Sequence, residues 1–169
     1  MEEKQALLYN AAKTLFTKGG FKSTSVAQIA KEAGLAVGTF YLYYPSKEKL
    51  FLDIFLAENA VLKQRCQAQL DVTLEPKQVI AHMLACNSEG MRNNPILREW
   101  YNRKVFAKLE HGSEAVHFLN DTFVQLVEKW QAEGKIRSDV DAATIMLVFT
   151  AIMNIDVHKE EIGVEHFPR

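Results

Sequence analysis

The stretch from Thr24 to Leu50, TSVAQIAKEAGLAVGTFYLYYPSKEKL, leaves little freedom in what it can form. Thr24 and Ser25 are hydroxyl residues suited to a helix N-cap, and Ser25 with Gln28 has the spacing of a capping box. Val26, Ile29, Ala30 and Ala33 then recur at helical spacing, and Gly34 supplies the left-handed residue that closes a short helix. A second short helix is expected from about Val37 to Tyr43. In it Phe40 and Tyr44 stand four apart and can pack inward. Val37, Thr39, Tyr41, Leu42 and Tyr43 are left for outward or flanking positions. Pro45 stops this helix and Ser46 caps the next, with Lys47 in its first turn. A lysine there is slightly unfavourable to the helix dipole and is explained more easily by an anionic partner. An ordinary antiparallel helix pair accounts for the apolar spacing. It does not account for three tyrosines, a threonine and a lysine gathered around one solvent-facing helix.

This pattern resembles the DNA-binding helix-turn-helix of the tetracycline-repressor (TetR) family of bacterial transcription regulators. The resemblance is carried by Gly19, Gly20, Phe21, Thr24, Ile29, Ala30, Ala33, Gly34, Gly38, Thr39, Tyr41, Tyr43, Ser46, Lys47 and Leu50. It implies that the second short helix enters the major groove, with Val37, Thr39 and Leu42 nearest the bases. Thr24, Tyr41, Tyr43 and Lys47 would lie nearest phosphates, and Ser25 belongs to the same DNA-binding set. The chain departs from the family pattern at Ala36, where a serine often caps the recognition helix, and at Leu42, where a histidine or another polar residue is common. Losing the capping hydroxyl costs on the order of 1 kcal/mol. With valine and leucine facing the groove, base reading is expected to rest on thymine methyls and DNA shape more than on bidentate hydrogen bonds.

Charge divides along the chain in the same sense. Residues 1–50 hold seven lysines against four acidic residues, a net of +3, while residues 51–169 hold thirteen Lys or Arg against seventeen acidic residues, a net of −4. A basic head on an acidic body orients the approach to DNA, although +3 predicts weak non-specific binding by one copy. Apolar residues make up 48% of the chain, enough to fill a core. No run of 18 or more apolar residues occurs, and the first residues read as an amphipathic helix bearing acids rather than a secretory signal. No membrane association is expected, and the protein should be cytoplasmic. The two cysteines, Cys66 and Cys86, are too few for a disulfide framework and suit a reducing compartment.

The fold expected is all-α: an N-terminal three-helix helix-turn-helix domain over residues 1–46, followed by a helical effector-binding and dimerisation domain over 47–169. The first helix, about Glu3 to Lys18, buries Leu8, Ala11, Ala12, Leu15 and Phe16 and ends at Gly19 and Gly20. A long helix from Lys47 to about Leu70 leads into the body without a flexible linker. Pro76 opens another at its favoured first-turn position, lasting until Asn93, Asn94 and Pro95 break it. Further helices are expected from Ile96 to about Lys108 and from Glu114 to Glu133, the latter ended by Gly134. Asp141 can cap the last. From Ile145 to Ile155 this helix is apolar except at Thr150 and Asn154, so it must be covered on every side, and it is too short to span a membrane. In the family it resembles, the last two helices pair with those of a second subunit. Ile145, Leu147, Val148, Ile152 and Ile155 are therefore the expected homodimer interface. By the same resemblance, the family's final helix is expected to be missing after Arg169.

By the same resemblance the body releases DNA when a small molecule enters it. Aromatic and methionine side chains are first of all core. Among them Met83, Trp100, Phe123 and Phe149 join His82, Asn87 and Asn154, polar residues inside apolar runs, as the expected effector contacts. Such a lining suits an apolar or aromatic effector. No catalytic residues are expected, since the chain has no glycine-rich phosphate loop, no nucleophile elbow and no pair of catalytic carboxylates. His82 and Cys86, four apart, lack further metal ligands at matching spacing. His158, Glu160, Glu161 and His166 read as a solvated segment. Neither metal nor cofactor is therefore expected. The function implied is a ligand-responsive regulator, a repressor by preference, that binds a palindromic double-stranded DNA operator as a dimer. The alternative is a DNA-binding protein of the same fold controlled by a protein partner or by no ligand.

Overall fold

The computed structural model describes residues 3–99 and 121–154, and every regular element among them is a helix. In chain order these are α1 (Glu3–Ser23), α2 (Val26–Glu32), α3 (Val37–Tyr43), α4 (Lys47–Ala68), α5 (Pro76–Asn93), α6 (Pro95–Arg98), α7 (Asp121–Ala132) and α8 (Ala142–Asn154). The expected helix from Ile96 to Lys108 is described only as α6, and the start of the one expected at Glu114 lies outside the described residues.

Local chemistry sets most of these boundaries. Gly20 breaks α1 with φ 78°, a conformation that costs glycine little, and the chain then makes one more turn, to Ser23. That turn is closed by the Thr24 hydroxyl, which donates to Gly20 O at 2.9 Å. Ser25 caps α2 with both halves of the capping box in place. Ser46 accepts from Lys49 N at 3.1 Å to open α4. Asn94 opens α6, its Oδ1 accepting from Ile96 N at 2.9 Å. Gly134, at φ 68°, ends α7. Asp141 caps α8, its carboxylate receiving Thr144 N at 2.9 Å and the Thr144 hydroxyl at 2.6 Å.

The chain forms two compact units, Met1–Gln69 with Met83–Ser113, and Leu70–His82 with Glu114–Arg169. The first has a core of Leu8, Ala12, Phe16, Phe21, Ile29, Phe40, Leu50, Phe51, Ile54 and Phe55, joined by Leu62, Met91, Ile96 and Leu97. At its centre Phe51 meets Phe21 at 4.9 Å and Phe16 at 5.1 Å between ring centroids, both edge-on, the arrangement that aromatic quadrupoles favour. This core runs across residues 46 and 47 without interruption, because α4 contributes Leu50, Phe51, Ile54 and Phe55 to it. The second unit packs Val79, Val127, Trp130, Ala142 and Met146 together. In α8, Ala142 and Met146 face this cluster, whereas Leu147 and Val148 are each 55% exposed. The helix expected to be covered on every side therefore leaves an apolar face open within one chain.

Cys66 and Cys86 form a disulfide with their Cα atoms 5.8 Å apart, which corrects the expectation of two free thiols. The reason is an antiparallel seam in the first unit. Asn94 Nδ2 donates to Glu58 Oε2 at 2.8 Å. One turn along α4, Leu62 covers Gly90 so closely that a Cβ there would lie 2.1 Å from Leu62 Cδ1. One turn further, Cys66 meets Cys86. Each step of four up α4 is matched by a step of four down α5, and the missing side chain at Gly90 allows the approach.

Glu58 also receives Lys13 Nζ at 2.6 Å, so one carboxylate joins α1, α4 and the cap of α6. Burial pushes its pKa up, but the hydrogen bonds from Lys13 and Asn94 outweigh burial and hold it below the ordinary carboxylate value. A carboxyl depressed in the folded state stabilises fully above its unfolded pKa and loses that contribution as pH falls through the folded one. Glu58→Gln should thus cost about 1 kcal/mol at neutral pH, a figure kept small because Lys13 is partly exposed. It should also flatten the fall in stability between about pH 5 and pH 3. Urea unfolding across that range checks both, and parallel curves for the two proteins would count against the network.

Candidate nucleic-acid interface

The geometry of the α2 and α3 pair follows from its turn. Ala33 ends α2, Gly34 takes φ 69°, and Leu35 N donates back to Ala30 O at 2.8 Å. This 6→1 bond with a left-handed glycine is the standard closure of a helix C-terminus. Ala36 starts α3 with no side-chain cap, as its methyl requires. What seats α3 is Phe40, fully buried, with Tyr44 beside it at 5.9 Å between ring centroids. Burial raises the pKa of the Tyr44 hydroxyl despite a hydrogen bond with Gln5.

The opposite face of α3 points outward. Leu42 is 80% exposed, Tyr41 56% and Val37 44%, and Gly38 has open space where a Cβ would stand. Thr39 and Tyr43 are half-buried at the flanks. From Ala36 to Pro45 the sequence AVGTFYLYYP holds no cation, carboxylate or amide side chain. The face can therefore offer base edges only methyl and aromatic surface and a few hydroxyls.

The remaining residues expected at DNA differ in setting. Ser25 is exposed at the start of α2. Thr24 is buried, its hydroxyl engaged with Gly20 O. Lys47 donates to Phe21 O at 2.8 Å and Thr24 O at 2.7 Å, and its ammonium lies 4.1 Å from the centroid of the Phe21 ring. The ammonium at the start of α4 thus satisfies carbonyls at the α1–α2 corner, a placement that needs no external anion to explain it. A second brace escaped the sequence altogether: Glu99 Oε1 accepts from Phe21 N at 3.1 Å across a separation of 78 residues. Gly20 frees that N–H by breaking α1, and no local pattern reveals which carboxylate meets it.

Of the residues expected at an effector, Met83 and Asn87 lie in the first unit, buried and half-buried. In the second unit Phe123 and Phe149 are half-buried and His82 is exposed. Trp100 and Ile155 fall outside the described residues, as do the side chains of Ile152 and Asn154. His158, Glu160, Glu161 and His166 also fall outside them. Among the described residues no three His, Cys, Asp or Glu side chains gather as a metal site, and no helix is long and apolar enough to cross a membrane.

A capped short helix, a glycine turn and an outward-facing second helix braced by α1 and α4 define a helix-turn-helix DNA-binding protein. Residues 8–54 match the family described as bacterial regulatory proteins, tetR family. The uncharacterized HTH-type transcriptional regulator YfiR of Bacillus subtilis is 38% identical over 161 residues, covering 88% of this chain and 75% of YfiR. The chain belongs to the TetR family of transcriptional regulators. The HTH-type transcriptional repressor KstR of Mycobacterium tuberculosis is 28% identical over 113 residues, 66% of this chain and 51% of KstR, so the chain spans about half the length of that relative. Among solved structures, Thermus thermophilus FadR, a TetR family transcriptional repressor in complex with lauroyl-CoA, superposes with a TM-score of 0.64 at 24% identity. That alignment covers 92% of this chain and 81% of FadR, and it shows the same fold.

Proposed function

We propose that this regulator is a repressor that binds a palindromic operator as a homodimer and reads its half-sites chiefly through base methyl groups. The observation that carries the reading is the outer face of α3, where Val37, Tyr41 and Leu42 are exposed and no side chain can make a bidentate hydrogen bond to a base. Thymine presents its C5-methyl in the major groove, where an apolar side chain can contact it. Ser25, Thr39, Tyr41 and Tyr43 surround that face and are the proposed phosphate contacts, while Thr24 and Lys47 hold the corner that aims it. Leu147 and Val148, open on α8, together with Ile145, Ile152 and Ile155, are the proposed dimer surface. The repressor role is supported by KstR and FadR, both named as repressors.

Release by a small apolar or aromatic effector is the second half of the proposal. It is supported by FadR, whose structure holds lauroyl-CoA, and by the apolar character of both cores here. Met83 and Asn87 in the first unit and Phe123 and Phe149 in the second are the side chains to vary, with His82, Trp100 and Asn154.

The test begins with selection of genomic fragments by the purified protein to obtain an operator. Replacing thymine by uracil, one position at a time, then removes single methyls and nothing else. At the contacted positions affinity should fall about fourfold, the worth of one buried methyl at ~0.8 kcal/mol. Leu42→Ala should bind the thymine and uracil forms of one of these positions equally. Indifference of the parent protein to every uracil substitution would refute methyl reading, and failure to select any fragment would refute the regulator reading itself.

A further inference from the structure

We infer that Cys66 and Cys86 are a thiol–disulfide switch that sets operator affinity through α4. The inference rests on the DNA-binding reading above and adds a redox input to it. A regulator works where the chromosome is, and in a bacterial cytoplasm thiols are kept reduced. A disulfide formed there is usually transient and redox-sensing rather than a permanent staple.

The position of the bond makes it consequential. α4 begins inside the reading head, where Ser46 caps it, Lys47 clasps the α1–α2 corner, and Phe51 and Phe55 pack against α1. The two cysteines are 20 positions apart in sequence, yet their Cα atoms stand 5.8 Å apart. The seam that aligns them does not depend on the bond, since Leu62 on Gly90 and Asn94 on Glu58 continue it in the same register. The reduced thiols are therefore held within reach of each other, and oxidation needs no large search. In the oxidised form the far end of α4 is tied covalently to α5, and in the reduced form the seam is held by the packing of Leu62 on Gly90 and the Asn94–Glu58 hydrogen bond, with no covalent tie. Two-site operator binding depends on the spacing of two reading heads, so any freedom gained by α4 is read directly as affinity.

The two sulfurs are not equivalent. Cys66 is buried, whereas Cys86 is half-buried and is the one an oxidant reaches. The oxidant class assigned is a hydroperoxide. The Cys86 thiolate attacks one peroxide oxygen, the O–O bond breaks, and the sulfur becomes a sulfenic acid while the other oxygen leaves as an alcohol or water after taking a proton. The Cys66 sulfur then attacks the Cys86 sulfur, the S–S bond forms and water departs. Two electrons pass from the sulfur pair to the peroxide, and the two thiol protons end on the two oxygens. A small dithiol reverses the reaction by exchange.

The experiment uses the whole chain with an operator selected as above. Protein reduced with dithiothreitol is compared with protein treated with hydrogen peroxide and freed of excess oxidant. Thiol counting should show two thiols becoming none, with both returned by dithiothreitol, and operator affinity should differ about fivefold or more between the forms, the usual scale of a coupled site. Cys86→Ser and Cys66→Ser should each bind as the reduced protein does, before and after peroxide. Thiols that persist through the treatment, or a smaller difference in affinity between the two forms, overturn the switch. A protein that retains no DNA in either form overturns the DNA-binding reading instead, while thiol counting still decides whether the pair cycles.

Discussion

Phe40→Ala should destabilise the first unit by about 3–5 kcal/mol, the usual cost of emptying a buried phenylalanine site. The value belongs at the upper end of core substitutions because of what Phe40 holds. α3 has seven residues, and Phe40 is the one it buries completely. A helix of two turns has no stability of its own in water and exists because its apolar side is packed. Without the ring, Tyr44 loses its neighbour at 5.9 Å and Tyr41 its edge-on partner at 5.3 Å. Leu42→Ala, two residues on and exposed, should change stability by no more than about 0.5 kcal/mol. Urea unfolding of both variants gives the contrast. A loss below about 1 kcal/mol for Phe40→Ala would mean that α3 is held by something other than its packing.

Opening the Cys66–Cys86 bond should lower the unfolding free energy by about 3 kcal/mol, the chain-entropy value for a loop of roughly this length. The partners are 20 positions apart in sequence, and the loop they close contains the last turn of α4 and the first half of α5. Unfolding midpoints with and without reductant measure the effect. The double variant Cys66→Ser/Cys86→Ser should show one midpoint in both conditions, close to that of the reduced parent. An oxidised protein no more stable than the reduced one would mean that the cross-link restricts the unfolded chain no more than it strains the folded one.

Whatever was written in short-range chemistry was legible in the sequence. The capping box of Ser25 and Gln28, the left-handed Gly34, the uncapped start at Ala36, the cap at Ser46, Pro76 opening α5 and Asp141 opening α8 each involve residues within a turn of one another. Each is decided by backbone geometry that a few neighbouring side chains control. The inward side of α3 was readable for the same reason, since residues four apart share a face. These local signals, taken with the glycines and tyrosines around them, were enough to place the chain in its family and to mark the helix that faces outward.

Tertiary structure decided which distant groups meet. Lys47 looked like a cation awaiting a phosphate until folding brought the carbonyls of Phe21 and Thr24 to it. Glu99 reaches the Phe21 N–H only because Gly20 breaks α1 and α6 lies beside that break. The two cysteines read as separate thiols because nothing in a one-dimensional pattern reveals that α4 and α5 run antiparallel in a register set by Gly90. The physical reason is common to all three. A helix boundary depends on torsions and hydrogen bonds within a few residues, whereas the partner of a lysine, a carboxylate or a thiol depends on how whole helices pack, and that is settled by burial summed over the entire core.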